Sequence, residues 1–192
     1  MARRAESSGA TGIELIQRAA SFAARAHAGH TRADGTTPYF SHVVRVSMVL
    51  RHEYGCDDAQ AVAAALLHDT IEDTPTDYDD IAEHFGDEVA RIVAALTKSM
   101  ILPEAQREID YDARLAKADW RARLIKLADV YDNLSDMLQT GEKRKSLSKM
   151  IAKAGRAMAL AKPDAKGHAE TARAMAIVGA LVKRARAQLP DL

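Results

Sequence analysis

The sequence predicts an all-α fold. Apolar residues recur three and four positions apart along most of the chain, which is the period of an amphipathic helix, whereas alternating strand patterns are nearly absent. Alanine is abundant, and apolar residues make up 47% and charged residues 28% of the chain, as in ordinary folded proteins. Because no linker rich in proline, glycine or serine divides the middle of the chain, we expect one domain over residues 12–192, preceded by a flexible N-terminus over residues 1–11.

The first half of the chain contains five predicted helices separated by polar loops. Each helix carries an apolar stripe, and several follow an Asp or a Pro that suits a helix N-terminus. The fifth, "DEVARIVAALTK", also has acidic residues in its first turn and a lysine in its last, which complements the helix dipole. The predicted helices run over residues 12–27, from after Pro38 to Gly55, from an N-cap at Asp57 or Asp58 to Ile71, from an N-cap at Asp77 to Phe85, and over residues 87–98.

The second half of the chain predicts longer helices. The stretch "SMILPEAQRE" is typical of a loop that enters a helix at Pro103, and another helix follows from about Trp120 to Leu138. Two amphipathic helices over about residues 141–188 end the chain, and their Met and Ala stripes are typical of core or subunit-packing surfaces. They either cover the rest of the fold or form the surface of a homo-oligomer, and the sequence leaves both alternatives open.

Charge and cysteine content exclude several classes of partner. Acidic and basic residues balance at 27 each, so we expect no polymeric nucleic acid as a partner. The single cysteine, Cys56, excludes an intramolecular disulfide and fits a reducing cytoplasm. The N-terminus is short and polar, and no segment approaches the roughly 20 apolar residues of a membrane span. We therefore expect a cytoplasmic protein that has no membrane contact.

An ionisable cluster ends the third predicted helix. The run "AALLHDTIEDT", residues 64–74, is apolar until His68, Asp69, Glu72 and Asp73. Because helical residues three and four apart share a face, we expect these four side chains on one face. Three carboxylates beside the negative end of a helix repel one another unless a cation lies among them. The cluster therefore indicates a divalent metal site, with solvated residues at a helix end as the alternative.

Such a site needs further ligands from other helices. His42, in "TPYFSHVVRV", lies near the start of an apolar helix. In "RLIKLADVYDNL", Asp129 follows apolar residues at a position where the helical period predicts burial, and a buried Asp is rare unless it is paired. Asn133 lies one turn later on the same face. We therefore expect His42 and Asp129 as further ligands, with Asn133 in the same cleft.

Four motifs give the chain a family resemblance. "TPYFSH", "AALLHDTIEDT", "HFGDEVARIV" and "IKLADVYDNL" occur in this order, and through them the chain resembles the HD-domain hydrolases of the RelA/SpoT group over about Phe22 to Leu138. The likeness is closest to stand-alone small alarmone hydrolases, which remove the 3′-pyrophosphate of guanosine tetra- and pentaphosphate, ppGpp and pppGpp. The resemblance implies an HD-domain helical fold with two extra C-terminal helices. It also implies hydrolysis to GDP or GTP and pyrophosphate.

The resemblance implies a role for each matching residue. The implied ligands of one manganese ion are His42, His68, Asp69 and Asp129. Mixed imidazole and carboxylate ligands suit several divalent metals, so the identity of the ion comes from the family. The pair Glu72 and Asp73 matches the acidic residues that position or deprotonate the attacking water, while the metal activates that water and the phosphoryl group. The implied substrate contacts are Arg32 and Asn133, and Lys98 and Arg107 lie where the family's substrate-facing loop is expected.

Three departures from the family pattern bear on the substrate. His30 replaces a glutamine, Val43 replaces a proline, and Val130 replaces an arginine that often follows the last ligand. None of these changes removes a predicted ligand, but the loss of a cation at residue 130 affects which phosphate or base is accepted. Another phosphorylated nucleotide, such as an adenine alarmone or a nicotinamide dinucleotide phosphate, therefore stays open as the substrate. A non-catalytic nucleotide-binding regulator and a plain helical interaction module are the alternatives outside enzymes.

Overall fold

The computed structural model describes residues 11–140 and 144–189, so the expected flexible N-terminus lies almost entirely outside the described residues. Within those ranges the chain is helical, as predicted, and an isolated β-bridge joins Thr31 to Pro38 in the loop after the first helix. The helices are α1 (Gly12–Ala26), α2 (Phe40–Met48), α3 (Ala59–Leu67), α4 (Thr70–Asp73), α5 (Tyr78–Phe85), α6 (Asp87–Leu96), α7 (Glu104–Lys117), α8 (Trp120–Thr140), α9 (Arg144–Ala161) and α10 (Ala169–Ala187). A π-helical turn (Val49–Glu53) extends α2, and a 3-10 turn (Lys162–Lys166) links α9 to α10.

Most helix ends lie where the sequence predicted them. The Asp58 side chain accepts hydrogen bonds from the backbone of Gln60 and Ala61 and so caps α3. Asp77 caps α5 in the same way, and that helix ends at Gly86, whose φ of 86° a residue with a side chain rarely adopts. These local signals, which need no tertiary partner, fix where the short helices begin and end.

The third helix differs from its prediction. A continuous helix to Ile71 was expected, but α3 stops at Leu67 and the chain turns before α4. Two side chains bond to carbonyl groups in the last turn of α3: the Thr70 hydroxyl donates to the Leu67 carbonyl at 2.7 Å, and His68 Nδ1 lies 2.8 Å from the Ala65 carbonyl. The helix therefore ends at the residues that carry the ionisable cluster, and the expectation of one uninterrupted helical face was wrong.

Helix α3 lies at the centre of the fold. Its side chains from Ala61 to Leu67 are all buried, and it packs against α1, α2, α6 and α8. The two C-terminal helices pack against α8 and against each other, so they cover α8 within a single chain. None of the described helices combines the length and the apolar character that crossing a membrane requires.

Candidate active site

Three segments that are distant in sequence meet at one cluster. The start of α2 carries His42, the turn between α3 and α4 carries His68 and Asp69, and the middle of α8 carries Asp129. His42 Nε2 lies 3.6 Å from Asp69 Oδ2 and 3.4 Å from Asp129 Oδ1. His68 Nε2 lies 3.1 Å from the same Asp69 oxygen and 4.0 Å from the same Asp129 oxygen. The structure therefore brings together all four predicted metal ligands.

The atoms of this cluster fit a divalent cation. Ligand atoms of His42, His68 and Asp69 all lie within 4.8 Å of one another. Atoms bound to one ion at about 2.0–2.3 Å lie roughly 3–4 Å apart, which matches the spacing between these nitrogens and oxygens. Within the described residues the buried His68 Nε2 has no hydrogen-bond partner, although it lies 3.1 Å from Asp69 Oδ2. Since Nδ1 of that ring faces a carbonyl, which only accepts, Nε2 is the atom free to bind a metal.

Opposite charges hold the cluster in its ionised form without a metal. Burial opposes ionisation of Asp69, but the neighbouring rings of His68 and His42 keep its pKa well below the usual range. Burial likewise opposes the charged form of His42, and the carboxylates of Asp129, Asp132 and Asp69 nevertheless raise its pKa well above the ordinary value. A bound cation would take the place of the protons on these rings, as expected where metal binding and protonation compete.

Both carboxylates of the cluster are fixed by further hydrogen bonds. The Tyr39 hydroxyl donates to Asp69 Oδ2 at 2.6 Å. Lys126 Nζ donates to Asp129 Oδ2 at 2.7 Å, while the Asn133 amide donates to Asp129 Oδ1 at 2.5 Å. Burial opposes the ionisation of Asp129, but Lys126 and the two imidazoles hold its pKa below the usual range. The surrounding side chains thus set the orientation of both carboxylates.

The acidic pair lies on α4, directly after the cluster. Glu72 Oε2 accepts a hydrogen bond from the Lys98 backbone at 2.9 Å, which ties this carboxylate to the loop after α6. Burial raises the pKa of Glu72, and burial followed by the charge of Asp69 raises the pKa of Asp73. A carboxylate with a raised pKa accepts a proton more readily, as a general base requires.

Three of the four predicted substrate contacts adjoin the site: Arg32 and Asn133 lie beside Asp129, and Lys98 lies beside Glu72. Arg32 Nη2 donates to Asn133 Oδ1 at 2.9 Å and to Asp136 Oδ2 at 3.0 Å, so Asn133 connects Arg32 to Asp129. Lys98 Nζ pairs with Glu108 Oε1 at 2.9 Å, beside the backbone contact with Glu72. Arg107 instead donates to the Leu102 carbonyl at 3.2 Å, and its described bonds link it to the loop before α7. Its role in substrate binding stays a prediction.

Four residues at the cluster received no role from the sequence: Tyr39, Arg45, Lys126 and Asp132. His42 Nδ1 lies 2.7 Å from Asp132 Oδ2, and Arg45 Nε lies 2.6 Å from Asp132 Oδ1. The helical period places Asp132 and Arg45 on the same faces as two predicted ligands, because Asp132 follows Asp129 by three residues and Arg45 follows His42 by three. No local pattern marks Tyr39, which reaches Asp69 only through the folded loop before α2.

A further buried histidine adjoins the site. His27 is 2% exposed, its ring centroid lies 4.9 Å from that of Tyr39, and neither ring nitrogen has a hydrogen-bond partner within the described residues. Burial lowers its pKa to about 4, although Asp69 acts in the opposite direction. The structure places His27 behind the tyrosine that holds Asp69.

Comparisons with known proteins agree with this geometry. The HD domain family matches residues 19–157. The guanosine-3′,5′-bis(diphosphate) 3′-pyrophosphohydrolase MESH1 of Xenopus tropicalis is 41% identical over 124 residues, which is 64% of this chain and 69% of that protein. MESH1 of Homo sapiens is 40% identical over 130 residues, covering 67% and 72% of the two chains. The enzyme of the same activity name from Aquifex aeolicus is 39% identical over 71% of this chain, but over only 20% of its own length.

A solved structure shows the same architecture. It belongs to a metazoan ortholog of SpoT that is described as hydrolysing ppGpp and playing a role in starvation responses. It superimposes with a TM-score of 0.77 at 28% sequence identity and covers 88% of this chain and 94% of its own. The helical architecture, the match over most of the chain and the convergence of the His and Asp side chains agree, and we conclude that the chain belongs to the HD domain family.

Proposed function

We propose that this chain is a metal-dependent hydrolase that removes the 3′-pyrophosphate from ppGpp and pppGpp, giving GDP or GTP and pyrophosphate. One observation carries the proposal: two imidazoles and two carboxylates converge at 3.1–4.0 Å beside the acidic pair of α4. Relatives of about 40% identity that carry this activity in their names support the substrate class.

The ligands in this proposal are His42, His68, Asp69 and Asp129. A divalent ion bound there supplies Lewis-acid activation of a water molecule and of the phosphoryl group. We propose Mn²⁺ as that ion, since imidazole and carboxylate ligands together suit it, as they suit several other divalent metals.

Glu72 and Asp73 act as the acidic pair. Water attacks the phosphorus atom next to the ribose 3′ oxygen, and a carboxylate of the pair accepts the proton of the water. The bond between that phosphorus and the ribose oxygen breaks, and the ribose oxygen takes up a proton and leaves as a hydroxyl, so the carboxylate returns to its starting state. The Lys98 backbone bond fixes the direction of Glu72, and partial burial favours its proton-accepting role by raising its pKa. Neither residue needs to bind the metal.

Basic and amide side chains at the edge of the cluster contact the substrate in this proposal. Arg32 is half-buried and already bonded to Asn133, so its guanidinium lies one hydrogen-bonded residue away from Asp129. A guanidinium binds phosphate oxygens in a bidentate manner that a lysine ammonium does not match. Lys98 adds a second cation beside Glu72.

The test is pyrophosphate release from ppGpp by metal-stripped protein, with and without added Mn²⁺. A variant with His68→Ala and Asp69→Ala is expected to lose both release and metal binding. The matched control, His52→Ala with Asp57→Ala, removes one histidine and one aspartate from the exposed surface and is expected to keep both.

The possible outcomes test the substrate and the metal site separately. Release that depends on Mn²⁺ and is lost only in the first variant supports the proposal. Tight metal binding without release would overturn ppGpp as the substrate. Pyrophosphate release from adenine alarmones and orthophosphate release from a nicotinamide dinucleotide phosphate would then identify the alternative. A cytoplasmic location and a homo-oligomeric state stay predictions from the sequence.

A further inference from the structure

Asp132 holds the side of His42 that faces away from the cluster. Its Oδ2 lies 2.7 Å from His42 Nδ1, and the residue is 5% exposed. Arg45 contacts both of its oxygens, with Nε at 2.6 Å from Oδ1 and Nη2 at 2.9 Å from Oδ2. The carboxylate is thus paired with a cation and a ring nitrogen, which offsets the cost of burying its charge.

The pairing fixes where the proton of His42 lies. A carboxylate only accepts hydrogen bonds, so Nδ1 carries a proton, and Nε2 is the nitrogen that binds an ion once the ion displaces its proton. That Nε2 faces Asp69 and Asp129 at 3.6 and 3.4 Å. His68 has the same orientation, but its Nδ1 faces the neutral Ala65 carbonyl. Nδ1 of His42 therefore faces a charged carboxylate, whereas Nδ1 of His68 faces a neutral carbonyl.

The two helices interlock through matched spacing. His42 and Arg45 are one turn apart on α2, and Asp129 and Asp132 are one turn apart on α8. Helix α8 thus supplies one member of the cluster and also the partner of a ring that α2 supplies. A carboxylate behind a ligating histidine fixes the ring and strengthens the basicity of its other nitrogen.

We infer that Asp132, oriented by Arg45, is a positioning residue that sets the ring orientation and metal affinity of His42. This inference rests on the metal site of the proposed function. It assigns a role to an Asp–Arg pair that follows the ligands along both helices and contacts His42 on the side away from the other ligands.

The chain offers a closely matched control. Asp164 accepts hydrogen bonds from Arg123 Nε at 2.6 Å and from Nη2 at 2.9 Å, the same two distances that join Asp132 to Arg45. Its side chain is 13% exposed, and it contacts no histidine of the cluster. Asp164→Asn therefore removes an equivalent buried carboxylate from an arginine without touching the site.

The experiment measures Mn²⁺ affinity by calorimetry on the metal-stripped full chain. Asp132→Asn is expected to weaken affinity by about 10–100-fold, and Asp164→Asn to leave it within about twofold. Arg45→Gln, which leaves the carboxylate in place, is expected to weaken it less than Asp132→Asn and serves as the deciding variant if Asp132→Asn does not fold. The proton on His42 Nδ1, observed by NMR of ¹⁵N-labelled, Zn²⁺-loaded protein, is expected to move upfield in Asp132→Asn and to stay unchanged in Asp164→Asn.

Several results would overturn the inference. Wild-type affinity and an unchanged His42 signal in Asp132→Asn would do so, as would an equal loss of affinity in Asp164→Asn, which would indicate a general loss of stability. In either case a wild-type chain that binds Mn²⁺ and hydrolyses ppGpp leaves the proposed function standing. A wild-type chain that binds no metal would overturn the proposed function and, with it, this inference.

Discussion

Replacing His27 with phenylalanine is expected to make the protein less sensitive to acid. The ring is 2% exposed and has no hydrogen-bond partner for either nitrogen within the described residues, and burial lowers its pKa from 6.5 to about 4. The unfolded chain therefore binds a proton that the folded chain does not, so stability falls as the pH drops through this range.

The magnitude follows from the two pKa values. At pH 5 the ring of His27 is almost fully protonated in the unfolded chain and only about one-tenth protonated in the folded one, which lowers the free energy of unfolding by about 2 kcal/mol relative to pH 8. Phenylalanine fills the same space beside Tyr39 and carries no proton. His27→Phe should therefore gain about 2 kcal/mol over the wild type when the pH changes from 8 to 5.

Urea unfolding of metal-stripped protein at pH 8 and pH 5 measures this gain. Both chains share every other titrating group. A change with pH in the difference between their free energies of unfolding therefore comes from residue 27. His52→Gln, which removes an exposed histidine, is the control. A difference between His27→Phe and the wild type that stays constant within about 0.5 kcal/mol across the two pH values would refute the reasoning.

Three further predictions concern the site and the core. Glu72→Gln and Asp73→Asn should each lower kcat by about 10²–10⁴-fold while Mn²⁺ affinity stays near that of the wild type, and full activity in both would exclude the pair as the base. Removal of metal should lower Tm, and Mn²⁺ at 100 times its Kd should raise the free energy of unfolding by about 2.7 kcal/mol. A Tm that does not change when the ion is added would contradict a specific site. Arg123→Leu should cost about 3–5 kcal/mol in urea unfolding without changing metal affinity, because Arg123 pairs with Asp164 inside the fold; a loss below about 1 kcal/mol would show that the pair is dispensable.

Sequence patterns were reliable where local chemistry decides the structure. The caps at Asp58 and Asp77 and the glycine after α5 are interactions within one turn, so the pattern carries the whole signal. The break after Leu67 is different: His68 and Thr70 bond to carbonyls in the last turn of α3, and the same break places His68 and Asp69 against α2 and α8, a contact that the local period does not contain. The helical period alone therefore extended α3 too far.

The residues of the candidate site likewise include some that a sequence pattern marks and others that only the folded chain reveals. His42 and Asp129 were found because an ionisable residue in an apolar stretch is unusual. Tyr39 and Lys126 are amphipathic or long side chains that occur at many surfaces, and only the folded chain shows that they bond to the carboxylates of the cluster. Asp132 carried a usable signal in its spacing from Asp129, yet nothing in the sequence showed that it faces His42.

The wide separation of the predicted ligands along the chain bears on how the protein folds. Joining His42 to Asp129 closes a long loop, so the entropy of closure is lost before an ion can bind both residues. The ion therefore acts on a structure that is already assembled, and it should slow unfolding while leaving the rate of folding nearly unchanged. The supply of metal would then set how long each folded molecule lasts, whereas helix pairing alone would set how quickly it forms.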